Sequence, residues 1–247
     1  MLDRTRILDK LDDYLNRNDY DGAERHLRYW LAECESVRDH RTALLVQNEL
    51  MGLYRKVGKR EEAFRMAETA LAVVEEHALS EQIGAATTFL NAATVYKAFG
   101  DAARALPLYE KARAVYEREL PPGDRQFGGL YNNMALALVD LSRFEEANAL
   151  YQQALAVMHE VENGALEAAI TYLNMACAVE AEHGLLDGAE EIEALLDKAE
   201  RILETWGNRD GYYAFVCEKC ASVFGYHGRF VYEKELKARA KAIYERA

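Results

Sequence analysis

One phrase, written twice at a fixed offset, limits what this chain can fold into more than any other feature. Phe89-Leu90-Asn91-Ala92-Ala93-Thr94-Val95-Tyr96, followed by Gly100, Ala105, Tyr109 and Ala112, returns 42 residues later. The second copy reads Tyr131-Asn132-Asn133-Met134-Ala135-Leu136-Ala137-Leu138, followed by Ser142, Ala147, Tyr151 and Ala154. Matching residue types across two consecutive helical periods point to a repeat array. In such an array each unit is one supersecondary element that buries its apolar face only against its neighbours.

The phrase spreads in both directions. Tyr172-Leu173-Asn174-Met175-Ala176-Cys177-Ala178-Val179 begins a third copy 41 residues after the second. Backwards, Ala63 precedes Ala105 by 42 residues and follows Ala23 by 40. Small residues at these places let two helices cross closely, whereas a larger side chain would push the backbones apart. Aromatics such as Phe89, Tyr109, Tyr131 and Tyr151 then fill the space between successive hairpins. Leu8, Leu11 and Leu15, then Tyr20, Ala23, Leu27 and Trp30, give two stripes at helical spacing, with Asn16-Arg17-Asn18-Asp19 as turn and N-cap. Gly58, Gly100, Ser142, Gly184 and Gly228 mark later turns, and Leu120-Pro121-Pro122-Gly123-Asp124 is a strong helix break. In the fifth unit the late alanine falls at Ala199, about three residues beyond its place, which predicts a lengthened turn or helix after Gly184. The reading is an all-α chain of about six antiparallel helix pairs in a single array, at approximately 3–36, 41–78, 82–118, 124–160, 165–205 and 209–246.

Composition narrows the function classes. Half of the 247 residues are hydrophobic, enough for a sizeable core, and β-branched residues do not cluster as strands require. A formal net charge of −12 repels phosphate backbones and anionic lipid, so nucleic acid and membrane surfaces are poor partners. No apolar run approaches the ~20 residues of a bilayer span, and Met1 to Lys10 lacks the apolar stretch of a signal peptide. Four cysteines do not make a disulfide framework in a chain of this length, and the expected location is the cytoplasm.

The order of slots (aromatic, large apolar, small, aromatic, then Gly, Ala, aromatic, Ala) resembles the tetratricopeptide repeat. That family's minimal unit is 34 residues, so the step seen here means longer helices, similar to the repeats of kinesin light chain. Arg143-Phe144-Glu145-Glu146-Ala147 and Ala149-Leu150-Tyr151-Gln152-Gln153-Ala154-Leu155 are especially close to that form, and Leu120 to Asp124 sits where those repeats carry a Gly-Pro-Asp type linker. The resemblance is strongest over residues 85–180 and weakest over 3–36. It implies a right-handed superhelical α-solenoid whose concave face, lined by the first helix of each pair, binds peptides or partner proteins.

On that resemblance, a ligand would meet first-helix residues that hairpin packing does not need. Asn91, Asn133 and Asn174 share one slot in three consecutive repeats, with Asn132 and Asn48 one residue away. An amide side chain offers one acceptor and two donors, matching a peptide group whatever its sequence. The alternative is that Asn at this slot serves the fold, bonding locally or to the next hairpin. Arg55, Lys56, Thr94, Lys97, Leu136, Asp140, Cys177, Glu180, Lys219, Ser222 and Tyr226 are further candidates on the same face. The co-chaperone members of the family hold a C-terminal carboxylate with Lys, Arg and Asn. The matching places here hold Asn48, Gly52, Asn91, Gly129 and Asn133, without a cation.

Catalytic and metal chemistry find little purchase. Cys217-Glu218-Lys219-Cys220 with His227 resembles half a zinc site, but both cysteines fall on core slots and no second pair exists. The six histidines are scattered, and no phosphate-cradling or nucleophile motif occurs. No catalytic residue, metal site or cofactor is expected. Two functions follow from the resemblance: a non-enzymatic protein-interaction scaffold or adaptor, or a regulatory sensor whose groove binds a small peptide or metabolite and changes superhelix curvature. The hairpin of residues 1–40 lacks the basic recognition-helix character that an effector domain would supply, which favours the scaffold.

Overall fold

The computed structural model describes residues 2–246. Among them are twelve helices and no strand, arranged as six antiparallel pairs. The pairs are α1 (Arg4–Asn16) with α2 (Tyr20–Ser36), α3 (His40–Lys56) with α4 (Arg60–Glu76), and α5 (Ile83–Ala98) with α6 (Ala102–Glu119). The remaining three are α7 (Arg125–Asp140) with α8 (Phe144–Glu160), α9 (Gly164–Asp187) with α10 (Ala189–Thr205), and α11 (Gly211–Tyr226) with α12 (Phe230–Tyr244). The fold class is an all-α repeat solenoid, and the chain divides into two compact units, one ending at Leu120 and the next beginning at Pro121. Each unit holds three pairs. In the first, α3 packs on both α2 and α5, and in the second, α9 packs on α7, α8 and α11.

The helix ends are set by chemistry local to each turn. Asp3, Asp19, Asp39, Asp101, Asp124 and Asp210 cap α1, α2, α3, α6, α7 and α11, each accepting a backbone N–H of the first turn. At the opposite ends of α1, α2, α3, α4, α5, α7 and α11 the chain leaves the helix through a left-handed residue. Around Gly100, the Asp101 N–H donates to Tyr96 O at 2.9 Å and the Gly100 N–H to Lys97 O at 3.0 Å, closing a Schellman motif. The same bonds form around Ser142, where Arg143 reaches Leu138 O and Ser142 reaches Val139 O, both at 2.9 Å. Ser142 therefore holds φ +57° in a slot that Gly58, Gly100 and Gly228 fill in other pairs.

The core is the repeat phrase made solid. Ala23, Ala63, Ala105, Ala147 and Ala199 are at most 1% exposed, at the crossing of each second helix with its partner. Tyr54, Tyr96, Tyr109 and Tyr151 are at most 2% exposed. Each buried ring removes on the order of 150–250 Å² from water. Two of these tyrosines place their hydroxyl groups against charges on neighbouring helices: the Tyr54 hydroxyl donates to Glu24 at 3.1 Å, and Arg104 donates to the Tyr96 hydroxyl at 2.8 Å.

The three-residue displacement in the fifth pair resolves at Gly184. There φ is +80° and ψ +167°, so the helical path of α9 breaks, and Leu185 to Asp187 form an added turn before α10. Leu186 in that turn is 91% exposed, so the insertion lies at the surface and leaves the Ala199 crossing intact.

Candidate functional site

The first helices carry the polar residues that the hairpin cores do not absorb, and the amides among them divide into bonded and free. In the first unit, the Asn91 Nδ2 donates to Asn48 Oδ1 at 3.1 Å, and Asn48 Nδ2 donates to Thr88 Oγ1 at 3.1 Å. Thr88 Oγ1 in turn faces Gly84 O at 3.3 Å. This relay ties α3 to α5, and Asn48 is buried within it. In the second unit, the Asn174 Nδ2 donates to Asn132 Oδ1, also at 3.1 Å, and ties α7 to α9. Asn91 and Asn174 therefore have a structural duty, joining one hairpin to the next. Asn133 differs: it is half-buried and its side chain makes no hydrogen bond among the described residues.

Valence decides what these groups retain for a ligand. Each amide has two N–H donors and an oxygen with two acceptor positions. Asn91 and Asn174 use one donor each, so each keeps a donor and its oxygen, and Asn133 keeps all of its capacity. Thr94 is less available, because its hydroxyl donates to Leu90 O at 2.8 Å and lies 3.2 Å from the Tyr109 hydroxyl.

Three of the basic candidates sit at helix ends. Arg55 and Lys56 occupy the last turn of α3, both exposed, with the Lys56 ammonium 5.2 Å from the Tyr20 ring. Lys97 lies in the last turn of α5 and is half-buried. Cations there also complement the helix dipole. Lys219 is exposed on α11, its ammonium 5.5 Å from the Phe215 ring.

One cluster in the second unit is not apparent from sequence. Cys177 Sγ lies 4.0 Å from His227 Nε2, His227 Nε2 lies 3.9 Å from Glu180 Oε2, and the Tyr226 hydroxyl donates to Glu180 Oε1 at 2.6 Å. The His227 side chain is 2% exposed, so this is a polar joint between α9 and α11. Burial, reinforced by the Glu180 charge, pushes the Cys177 thiol above its ordinary pKa, away from a nucleophile's range. Because His227 turns toward Cys177 and Glu180, it is not part of a group with Cys217 and Cys220, which are buried core residues at 0% and 1% exposure. Among the described residues no group of three or more His, Cys, Asp or Glu is spaced to hold a metal ion, and no helix is long and apolar enough to cross a membrane.

Comparison with known proteins agrees with this geometry. Models of the tetratricopeptide repeat match residues 42–118 and 129–165. No curated protein matches the chain. Among solved structures, BtubC (BKLC) from P. vanneervenii is 22% identical with a TM-score of 0.70, over 83% of this chain and 82% of that one. A Podosopora anserina protein described as a kinesin light chain of nearly identical TPR-like repeats is 20% identical with a TM-score of 0.57, over 82% of this chain and 95% of that one. At these identities the likeness is one of fold.

Proposed function

Because the chain carries tetratricopeptide repeats of the long, kinesin-light-chain-like variant, and such repeats generally mediate protein–protein interaction, we propose that it is a non-enzymatic scaffold or adaptor. On this reading it binds a peptide or partner segment through the first-helix faces of its two units and works in the cytoplasm. The observation that carries the reading is the state of Asn133. A half-buried amide with no hydrogen bond, presented on a first helix at the slot of two other asparagines, suits a main-chain amide group as its partner. Each such bond contributes roughly 0.5–1.5 kcal/mol. A micromolar complex needs about 8 kcal/mol, so side-chain pockets supply the remainder and set specificity.

Affinity capture from the source organism's lysate tests the proposal. The wild-type chain should retain a protein or peptide that Asn133→Ala retains poorly, with helix content unchanged by circular dichroism. Equal recovery by both would remove Asn133 and its neighbours from the binding face.

A further inference from the structure

A cavity of ≈340 Å³ opens within the first unit, where the start of α1, the first half of α3 and the first turn of α5 meet. Its size lies at the lower end of small-molecule sites, which are mostly apolar with a few placed polar groups. The apolar wall is Leu44, Leu45, Leu79 and Ile83. The charged side chains lining it are two arginines, Arg4 and Arg41, with no carboxylate among the lining residues. In a chain of net charge −12 this is a local reversal of sign.

Among the described residues neither arginine forms a direct ion pair with a carboxylate. Arg4 donates its Nε to Thr42 Oγ1 at 3.0 Å, which holds the guanidinium at the start of α3, and Arg41 Nη2 reaches only the uncharged Gln82 Oε1, at 3.4 Å. The Asp39 carboxylate lies within the field of Arg4, yet it serves as the cap of α3, accepting from Thr42 N, Thr42 Oγ1 and Leu2 N. Alongside the arginines, Gln82 precedes α5 as its N-cap residue without a side-chain cap bond, and a Cβ on Gly84, which lines the cavity, would meet open space. The first-turn N–H groups add positive potential at the same place.

From this lining we infer a binding site for a small carboxylate with a short apolar tail, its head between Arg4 and Arg41 and its tail against Leu44, Leu45, Leu79 and Ile83. The planar guanidinium groups match a carboxylate by paired hydrogen bonds. The site does not involve Asn133, which lies in the second unit, although it shares Asn48 with the first-helix face of the partner-binding reading.

Calorimetric titration of the full chain with hexanoate, 1-hexanol and acetate tests it. Hexanoate should saturate at one equivalent, with 1-hexanol and acetate each about tenfold or more weaker, because each lacks one half of the match. Arg41→Gln should weaken hexanoate by about tenfold or more, as loss of a charge-assisted hydrogen bond implies. Arg65→Gln, on the exposed face of α4, should leave it unchanged. Arg41 is itself exposed, so folding of its variant is checked simply by circular dichroism. Absence of saturation, equal affinity in Arg41→Gln and Arg65→Gln, or acetate binding as well as hexanoate would each overturn the site.

Discussion

Replacing Tyr151 by phenylalanine should stabilise the protein, while the same change at Tyr109, its counterpart 42 residues earlier, should destabilise it. Both rings are 1% exposed. The Thr94 hydroxyl is committed to Leu90 O, so the Tyr109 hydroxyl donates to Thr94 Oγ1 at 3.2 Å. The counterpart of Thr94 in the next repeat is Leu136, which offers no acceptor, and the buried Tyr151 hydroxyl has no hydrogen-bond partner among the described residues. A buried polar group left unpaired costs about 1–3 kcal/mol, whereas a satisfied hydrogen bond contributes about 0.5–1.5 kcal/mol. Tyr151→Phe should therefore gain about 1 kcal/mol and Tyr109→Phe lose about 1 kcal/mol. With a urea dependence of about 1–3 kcal/mol/M, each shift is about 0.3–1 M in the midpoint, in opposite directions. Trp30 lies in the first unit and Trp206 in the second, so fluorescence of Trp30→Phe and Trp206→Phe backgrounds follows each unit separately. Leu136→Thr closes the cycle: it should cost about 1 kcal/mol less with Tyr151 present than in the Tyr151→Phe background. If Tyr151→Phe destabilised its unit as much as Tyr109→Phe does, the unpaired hydroxyl would be refuted.

Other outcomes follow from the same geometry. Ser142→Gly should stabilise the second unit by about 0.5–1 kcal/mol in urea melts, because glycine takes the left-handed turn without the Cβ penalty. Asn48→Ala should cost about 1–3 kcal/mol by breaking the Asn91–Asn48–Thr88 relay, and Asn133→Ala close to nothing. The Arg239 guanidinium, aided by the Tyr232 hydroxyl and opposed by burial, holds the Glu204 carboxyl below its ordinary 4.5. A depressed carboxyl stabilises the fold above its unfolded pKa and loses that contribution as pH falls through the folded value. Urea midpoints measured from about pH 6 down to about pH 3 should therefore fall further for wild type than for Glu204→Gln. Burial pushes the Cys34 thiol up to about 11 and raises those of Cys217 and Cys220 as well. A thiol-specific disulfide reagent should label these three slowly at neutral pH until the chain is unfolded, and rapid labelling would contradict their burial.

The sequence carried the fold because repetition samples the same physics several times. Ala63, Ala105 and Ala147 recur at one spacing because each fills the same narrow crossing, and the glycines recur because each Schellman turn needs the same left-handed residue. The displaced Ala199 announced the extra turn after Gly184, although only the backbone shows that α9 breaks there. The Pro121-Pro122 break read as a linker between two hairpins, and the boundary between the compact units falls at the same place. The candidate site was less legible. Its asparagines were visible, but their bonding was not, since Asn48 and Asn132 stand one residue before the shared slot and meet the next repeat's asparagine only once the helices are in register. The Cys177–His227–Glu180 joint depends on residues 50 apart, at no repeat spacing. The cavity of Arg4 and Arg41 joins three hairpins, so no local pattern could have marked it.

The central claim is that first-helix amides read a partner's backbone. Its most direct measurement is calorimetric titration of the captured partner segment against wild type, Asn133→Ala and Arg65→Gln. The claim predicts that Asn133→Ala raises Kd by about 2- to 13-fold, the equivalent of one hydrogen bond of roughly 0.5–1.5 kcal/mol, while Arg65→Gln leaves it unchanged. It also predicts that N-methylating the peptide amide that meets Asn133 weakens wild type as much as the mutation does, with no further loss in the variant. Identical Kd values for wild type and Asn133→Ala would contradict it.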